Sequence, residues 1–331
     1  MDSPSANSSI YTVLQEAASP AGVIDYGVFT CHALHHPVHG YYRRDISRVG
    51  KSDDTDFYTA ASMGPLFGKL IRAAVTSLLG ESTCQESTLV EIGAEPNQEL
   101  FAGETSFFES VKTLRNGEPL VIPPKSIVFS NELLDAQPFH RLIFKNGKWR
   151  ELGVRVNDHT LSECLLDDFV NEYVENFAAS LPTPWHEDWI VDAPLGAEAL
   201  LRELVQQSWT GALVFFDYGK TLAECLENSP EGTARAYRNH RMHNDLLASP
   251  GEQDLTCHVL WDRLEDILQT ANFTKVRTDR QEAFFMRHAT ATIAEMLGSP
   301  DPGLERERSK LRELLHPAHF GHKFQVLHGI R

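Results

Sequence analysis

Three short runs constrain what this chain can fold into. Leu89-Val90-Glu91-Ile92, Ile127-Val128-Phe129 and Gly211-Ala212-Leu213-Val214-Phe215-Phe216 are almost continuously apolar and rich in β-branched or aromatic side chains. A strand buried on both faces needs continuous rather than alternating apolar sequence, so these runs read as parallel strands. Each breaks off abruptly, into Gly93, into Ser130-Asn131-Glu132 and into Asp217-Tyr218-Gly219. Between and around them lie segments of helical spacing, such as Leu66, Phe67, Leu70, Ile71, Val75 and Leu78. Strands alternating with helices predict an α/β fold built on a doubly wound sheet. In such sheets the carboxyl ends of the strands open into the ligand crevice, so Gly93, Asn131 and Asp217 are expected to converge there.

The other segments suggest how the chain is organised. Residues 10–30 and 63–79 have helical spacing, which suggests a helical N-terminal cap over residues 1–80 ahead of a core over residues 81–331. Two alternating runs flank Lys145-Asn146-Gly147-Lys148, and Asn-Gly between such runs predicts a hairpin. Helices are expected over 162–180 and 196–209, so residues 140–210 read as a hairpin-plus-helices insertion. Residues 220–257 are polar and irregular and read as a lid or binding loop. A helix over 259–270, a strand over 273–278, helices over 288–297 and 303–315, and a last edge strand over 323–328 complete the expectation.

Composition narrows the function classes. With 46 acidic against 30 basic side chains the chain carries a formal charge of −16, which disfavours a phosphate backbone as partner and favours cationic ones. No apolar run is long enough to span a bilayer. Residues 1–9 are polar and lack a basic, then apolar, leader pattern, from which a cytoplasmic location is expected. The five cysteines form no Cys-x-x-Cys pair, which argues against a zinc ribbon or a disulfide scaffold. His35-His36-x-x-His39 and His240-x-x-His243 have metal-like spacing, but Pro37 breaks any helix through the first set, so no metal site is expected.

Asn131, Glu132 and Asp135 leave the central run together. If the chain turns helical there, the two acids stand three apart on one face and can grip a cation or take a proton from one. The other reading makes Asn131 a helix cap, with the acids favouring the positive end of the helix dipole.

Read in order, His39-Gly40-Tyr41-Tyr42, Asp56-Phe57-Tyr58-Thr59-Ala60, Leu66-Phe67-Gly68, Val90-Glu91-Ile92-Gly93, Ser130-Asn131-Glu132-Leu133-Leu134-Asp135-Ala136-Gln137-Pro138, Asp217-Tyr218-Gly219, Gly232-Thr233 with Arg235, Tyr237 and His240, and Pro250-Gly251-Glu252-Gln253-Asp254-Leu255-Thr256 resemble the MidA family of S-adenosylmethionine-dependent methyltransferases. The resemblance covers residues 30–330. It implies a class I Rossmann-like methyltransferase fold, S-adenosyl-L-methionine as cofactor, and arginine in a protein as acceptor. Carried over residue by residue, it implies catalytic roles for Asn131, Glu132 and Asp135, and cofactor contacts from Glu91, Gly93, Glu109, Tyr58 and Asp217. The implied partner is a protein substrate or assembly partner presenting a cationic side chain. Carboxylates suit that acceptor, because a guanidinium stays protonated far above neutral pH and must be oriented while it gives up a proton.

The chain departs from the family where the glycine-rich turn should be. The pattern Glu-x-Gly-x-Gly-x-Gly reads here Glu91-Ile92-Gly93-Ala94-Glu95-Pro96-Asn97, and only 37 residues separate Gly93 from Ser130, with Pro119, Pro123 and Pro124 in that span, so the helix the family carries ahead of the Asn-Glu run reads as deleted or much reduced. A second reading therefore stands beside the first: a methyltransferase-fold binding or assembly factor that has lost the cofactor. Glu109 is either the ribose acid or an exposed glutamate, and Arg235, Arg238 and Arg241 either hold the cofactor carboxylate or pair with Glu252 and Asp254.

Overall fold

In a computed structural model the described residues are 9–43, 63–94, 100–101, 104–115, 117–238, 241–316, 321 and 323–331. The chain divides into two compact units. One comprises Tyr58–Leu133, Leu201–Gly219 and Trp261–Arg331, and the other Met1–Phe57, Leu134–Leu200 and Lys220–Leu260. The helix Pro65–Leu79 thus belongs with the first unit and residues 10–43 with the second, a different partition from a linear cap ending at residue 80.

The first unit is built on six strands: β1 (Thr88–Ile92), β2 (Ser110–Leu114), β3 (Lys125–Asn131), β4 (Thr210–Asp217), β5 (Thr274–Arg280) and β6 (Gln325–Ile330). Their order is β5-β6-β4-β3-β1-β2. β2, β1, β3 and β4 run parallel, and β6 lies antiparallel between β4 and β5. The three apolar runs are therefore the three central parallel strands. Register places Ile92 opposite Ser130 and Asn131 opposite Phe216, so the carboxyl ends of β1, β3 and β4 are nearly level. Phe67 of the helix Pro65–Leu79 lies edge-on to Phe216 at 5.2 Å, and Phe285 of the helix Gln281–His288 stacks on Phe216 at 5.5 Å. Each buried phenylalanine contributes roughly 1.5–3 kcal/mol, and this aromatic cluster fixes one face of the sheet.

Two expectations for this unit change. Residues 325–330 form an internal strand, not an edge, and their alternation arises because the polar partner is buried too: His328 is 4% exposed and its Nε2 lies 3.1 Å from Asp279 Oδ2. β2 has no counterpart among the expected elements. Its Ser-Val-Lys-Thr sequence is that of an edge strand paired on one side, which needs no continuous apolar run.

The second unit holds a five-stranded antiparallel sheet. Val23–Asp25, Lys148–Asn157, His140–Lys145 and Ile190–Ala193 lie in that order, with Thr160–Leu165 paired to Lys148–Asn157. The expected hairpin is present: Lys145 pairs with Lys148, and Asn146 and Gly147 both take positive φ, 52° and 80°, as a two-residue turn of this twist demands. The helix expected over 162–180 is instead the strand Thr160–Leu165 followed by the helix Glu172–Ser180, which begins where Asn171 caps Tyr173 and Val174. The segment 220–257 is not an irregular loop. It contains the helix Leu222–Asn228, started by a Thr221/Glu224 capping box, and a three-stranded antiparallel sheet of Arg241–His243, Arg235–Arg238 and Asp254–Thr256.

Candidate active site

The site is built at the carboxyl ends of β1, β3 and β4. Beyond β1, Gly93 takes φ 76° while its N–H donates to Leu114 O at 2.8 Å. A side chain at that position would be strained, and a Cβ would lie 2.7 Å from Leu133 Cδ1. Glu91, two residues earlier, is buried at 6% exposure, and burial pushes its carboxyl up to about 7, with Arg115 partly opposing. Ser130 is 1% exposed. Its Oγ and the Oδ1 of Asn131 are buried and find no hydrogen-bond partner among the described residues.

Glu132 is the most unusual residue of the group. Its φ is 52°, in the left-handed region that a glutamate seldom enters and that costs roughly 1 kcal/mol or more. Three contacts hold it there. Its own N–H donates to Phe216 O at 2.9 Å, its Oε1 accepts from Asn131 Nδ2 at 2.9 Å, and the following N–H, of Leu133, donates to Asp217 Oδ2 at 3.2 Å. No helix follows Asn131, so neither helical reading of this run holds. The segment bends, with Gln137 N–H donating to Leu134 O at 3.2 Å, and Glu132 and Asp135 do not share a helix face. The left-handed turn arises because the backbone donors at 132 and 133 are both claimed by the end of β4.

Other expected residues fall elsewhere. Glu109 precedes β2, at the opposite end of the sheet from Gly93, and its N–H donates to Ser87 O. Five residues of strand, roughly 16 Å, separate the two ends, which removes Glu109 as a ribose acid. Glu118, which sequence reasoning passed over, follows β2 on the correct side, and its Oε2 accepts the Arg115 N–H at 2.7 Å. The Asn-Gly ahead of it was the available turn signal. Asp217 is fully buried, and its Oδ1 accepts the Tyr218 N–H at 2.8 Å while Oδ2 serves Leu133, so it grips backbone. Tyr58, Glu95, Pro96 and His240 lie outside the described residues.

Within the second unit, Asp135 is 4% exposed and its carbonyl accepts the Cys257 N–H at 2.9 Å. Tyr42 stacks on His35 and donates to Asp254 Oδ1 at 3.0 Å, and Arg238 pairs with Glu252 at 2.8 Å, so these motif residues hold their own unit together. Gly232-Thr233 has a similar explanation. Asp192, which the sequence did not single out, accepts the N–H groups of Thr233 and Ala234, and a Cβ on Gly232 (φ 75°) would lie 2.3 Å from its Oδ2. Among the described residues no group of three or more histidine, cysteine or acidic side chains is arranged to hold a metal ion, and no helix is long and apolar enough to cross a membrane.

These residues fit a polar, nucleoside-bearing cofactor. The strand-end glycine has the required backbone, and the Ser130 Oγ and Asn131 Oδ1, without a partner among the described residues, supply acceptors for a ligand.

Comparison with known proteins agrees in kind. The model of a family described as "Putative S-adenosyl-L-methionine-dependent methyltransferase" matches residues 63–278. The mitochondrial protein arginine methyltransferase NDUFAF7 homolog of Drosophila melanogaster is 27% identical over 210 residues, covering 61% of this chain and 46% of the fly protein. The chain thus spans about half the length of that relative. Mitochondrial protein arginine methyltransferase NDUFAF7 of Danio rerio is 22% identical over 385 aligned positions, 98% of this chain and 87% of the fish protein. A Burkholderia thailandensis protein crystallised with S-adenosyl-homocysteine shares the fold at a TM-score of 0.81 and 22% identity, over 97% of this chain and 92% of its own. A native crystal structure from the same organism gives 0.78 over 97% and 91%. Both curated relatives are mitochondrial, which overturns the cytoplasmic location expected from the polar N-terminus.

Proposed function

The chain belongs to this S-adenosyl-L-methionine-dependent methyltransferase family, and from that premise we propose that it methylates an arginine nitrogen of a protein, in a mitochondrial setting. One observation carries the choice of acceptor. A carboxylate, Glu132, is held at the end of a central strand in a backbone conformation it would not adopt unaided. The acceptor type and the setting are those named for the fly and fish relatives.

On this reading Gly93 lets the backbone approach the cofactor, Glu118 in place of Glu109 takes the ribose hydroxyls, and Ser130 and Asn131 offer acceptors beside them. The bound cofactor supplies an electrophilic methyl group on a sulfonium. The Glu132 carboxylate accepts N–H bonds from the guanidinium, turns one nitrogen towards that methyl group, and takes the proton the nitrogen sheds. Asn131 Nδ2, bonded to Oε1, keeps the carboxylate from rotating away. Radiolabelled methyl transfer to an arginine-bearing mitochondrial protein fraction, with acid hydrolysis to identify the modified residue, tests the proposal. Glu132→Gln should lower transfer about 100-fold or more while leaving S-adenosyl-homocysteine affinity within a few-fold. Label on lysine or a carboxylate, or full activity in Glu132→Gln, would overturn it.

A further inference from the structure

We infer that Asp217 is a positioning residue that aims Glu132 through the backbone of Leu133, and is not a cofactor contact. The inference rests on the reading of Glu132 as the acceptor carboxylate. Asp217 is 0% exposed, and its two oxygens each accept a backbone N–H, from Leu133 and from Tyr218. The preceding residue of the same strand, Phe216, supplies the carbonyl that receives the Glu132 N–H. The end of β4 therefore holds two successive N–H groups of the segment leaving β3, and these bonds keep Glu132 at φ 52°. Hydrogen bonds from two successive N–H groups are enough to offset the left-handed strain of one residue.

Leu133 carries the same restraint to the other half of the site. Its side chain covers Gly93, where an added Cβ would stand 2.7 Å from Cδ1 and 3.3 Å from Cγ. A single residue, fixed by Asp217, thus sets both the direction of the acceptor carboxylate and the floor beneath the strand-end glycine. Asp217 reaches neither ligand to do so.

A stability cycle with Asp217→Asn and Glu132→Gly tests this, because glycine removes the strain that Asp217 is there to hold. The melting-temperature loss caused by Asp217→Asn should be at most about half as large in the Glu132→Gly background as in the native chain, since coupled sites are non-additive. Equal losses in both backgrounds would overturn the inference. Titration of Asp217→Asn with S-adenosyl-homocysteine should give an affinity within about threefold of native, whereas kcat for methyl transfer falls about 100-fold at unchanged KM for the cofactor, as expected of a misplaced catalytic group. An affinity loss of tenfold or more would instead make Asp217 a cofactor contact. Should Asp217→Asn not fold, Asp217→Ser, which keeps a hydroxyl acceptor, takes its place in both measurements. A native chain that binds no S-adenosyl-homocysteine would sink the methyltransferase reading, while the stability cycle would still decide the role of Asp217.

Discussion

Two polar clusters, one in each unit, are buried in opposite ways. In the second unit, Arg141 donates from Nε to Asp192 at 2.9 Å, from one terminal nitrogen to Glu163 at 2.8 Å and from the other to Glu231 O at 3.1 Å, while Asp192 also accepts two backbone N–H groups. Charge is matched by charge and donor by acceptor. In the first unit, Glu91 is buried with its carboxyl pushed up to about 7, Ser130 Oγ and Asn131 Oδ1 lack partners among the described residues, and Glu132 is strained. A network that satisfies itself holds a fold; Ser130 and Asn131 oxygens left without partners among the described residues, at level strand ends, are poised for something outside the chain.

Substitutions should therefore move stability in opposite directions in the two places. The largest effect is expected from Arg141→Met, which leaves Asp192 and Glu163 without their cation. Breaking such a buried pair costs about 3–5 kcal/mol, readable by denaturant unfolding, and a loss under 1 kcal/mol would put the two units on the same footing.

Glu91→Gln should act the other way. Because burial raises its folded-state pKa, the folded chain holds that proton more tightly than the unfolded one. Its contribution is complete below the ordinary value near 4.5 and is lost as pH rises through about 7, amounting to about 3 kcal/mol at most. Glu91→Gln should flatten the decline in stability between pH 5 and 8 and exceed the native chain at pH 8. An unchanged pH profile would show that Glu91 is not held in this way. The smallest effect belongs to Glu132→Asn, which relieves part of the left-handed strain and should raise stability by up to about 1 kcal/mol while abolishing transfer. A clear loss of stability would mean that the Glu132 side chain holds the fold.

The same contrast explains what the sequence disclosed. The central strands were legible because burial on both faces writes itself as unbroken apolar sequence, and the Lys145–Lys148 hairpin because Asn-Gly has one common use. The Asn131–Asp135 run was legible as polar residues leaving a buried strand, and the resemblance supplied the role it implies. What stayed hidden depends on partners distant in sequence. The strand Ser110–Leu114 leans on β1, the pairing of Thr160–Leu165 is set by Lys148–Asn157, and the order in residues 220–257 comes from Asp192 reaching Thr233 and Ala234. Spacing from Glu91 points to Glu109 and passes by Glu118, because spacing alone does not tell which end of a strand a residue occupies. The strain at Glu132 has no local signature, being imposed from β4.

The claim that the carboxyl ends of β1, β3 and β4 form a cofactor site is tested most directly by calorimetric titration of the full chain with S-adenosyl-homocysteine near neutral pH. The account predicts saturable one-to-one binding that weakens in Ser130→Ala and survives in Glu132→Gln. A folded chain that gives no binding heat at high micromolar ligand would contradict it, and would return Gly93 and its neighbours to a purely structural role.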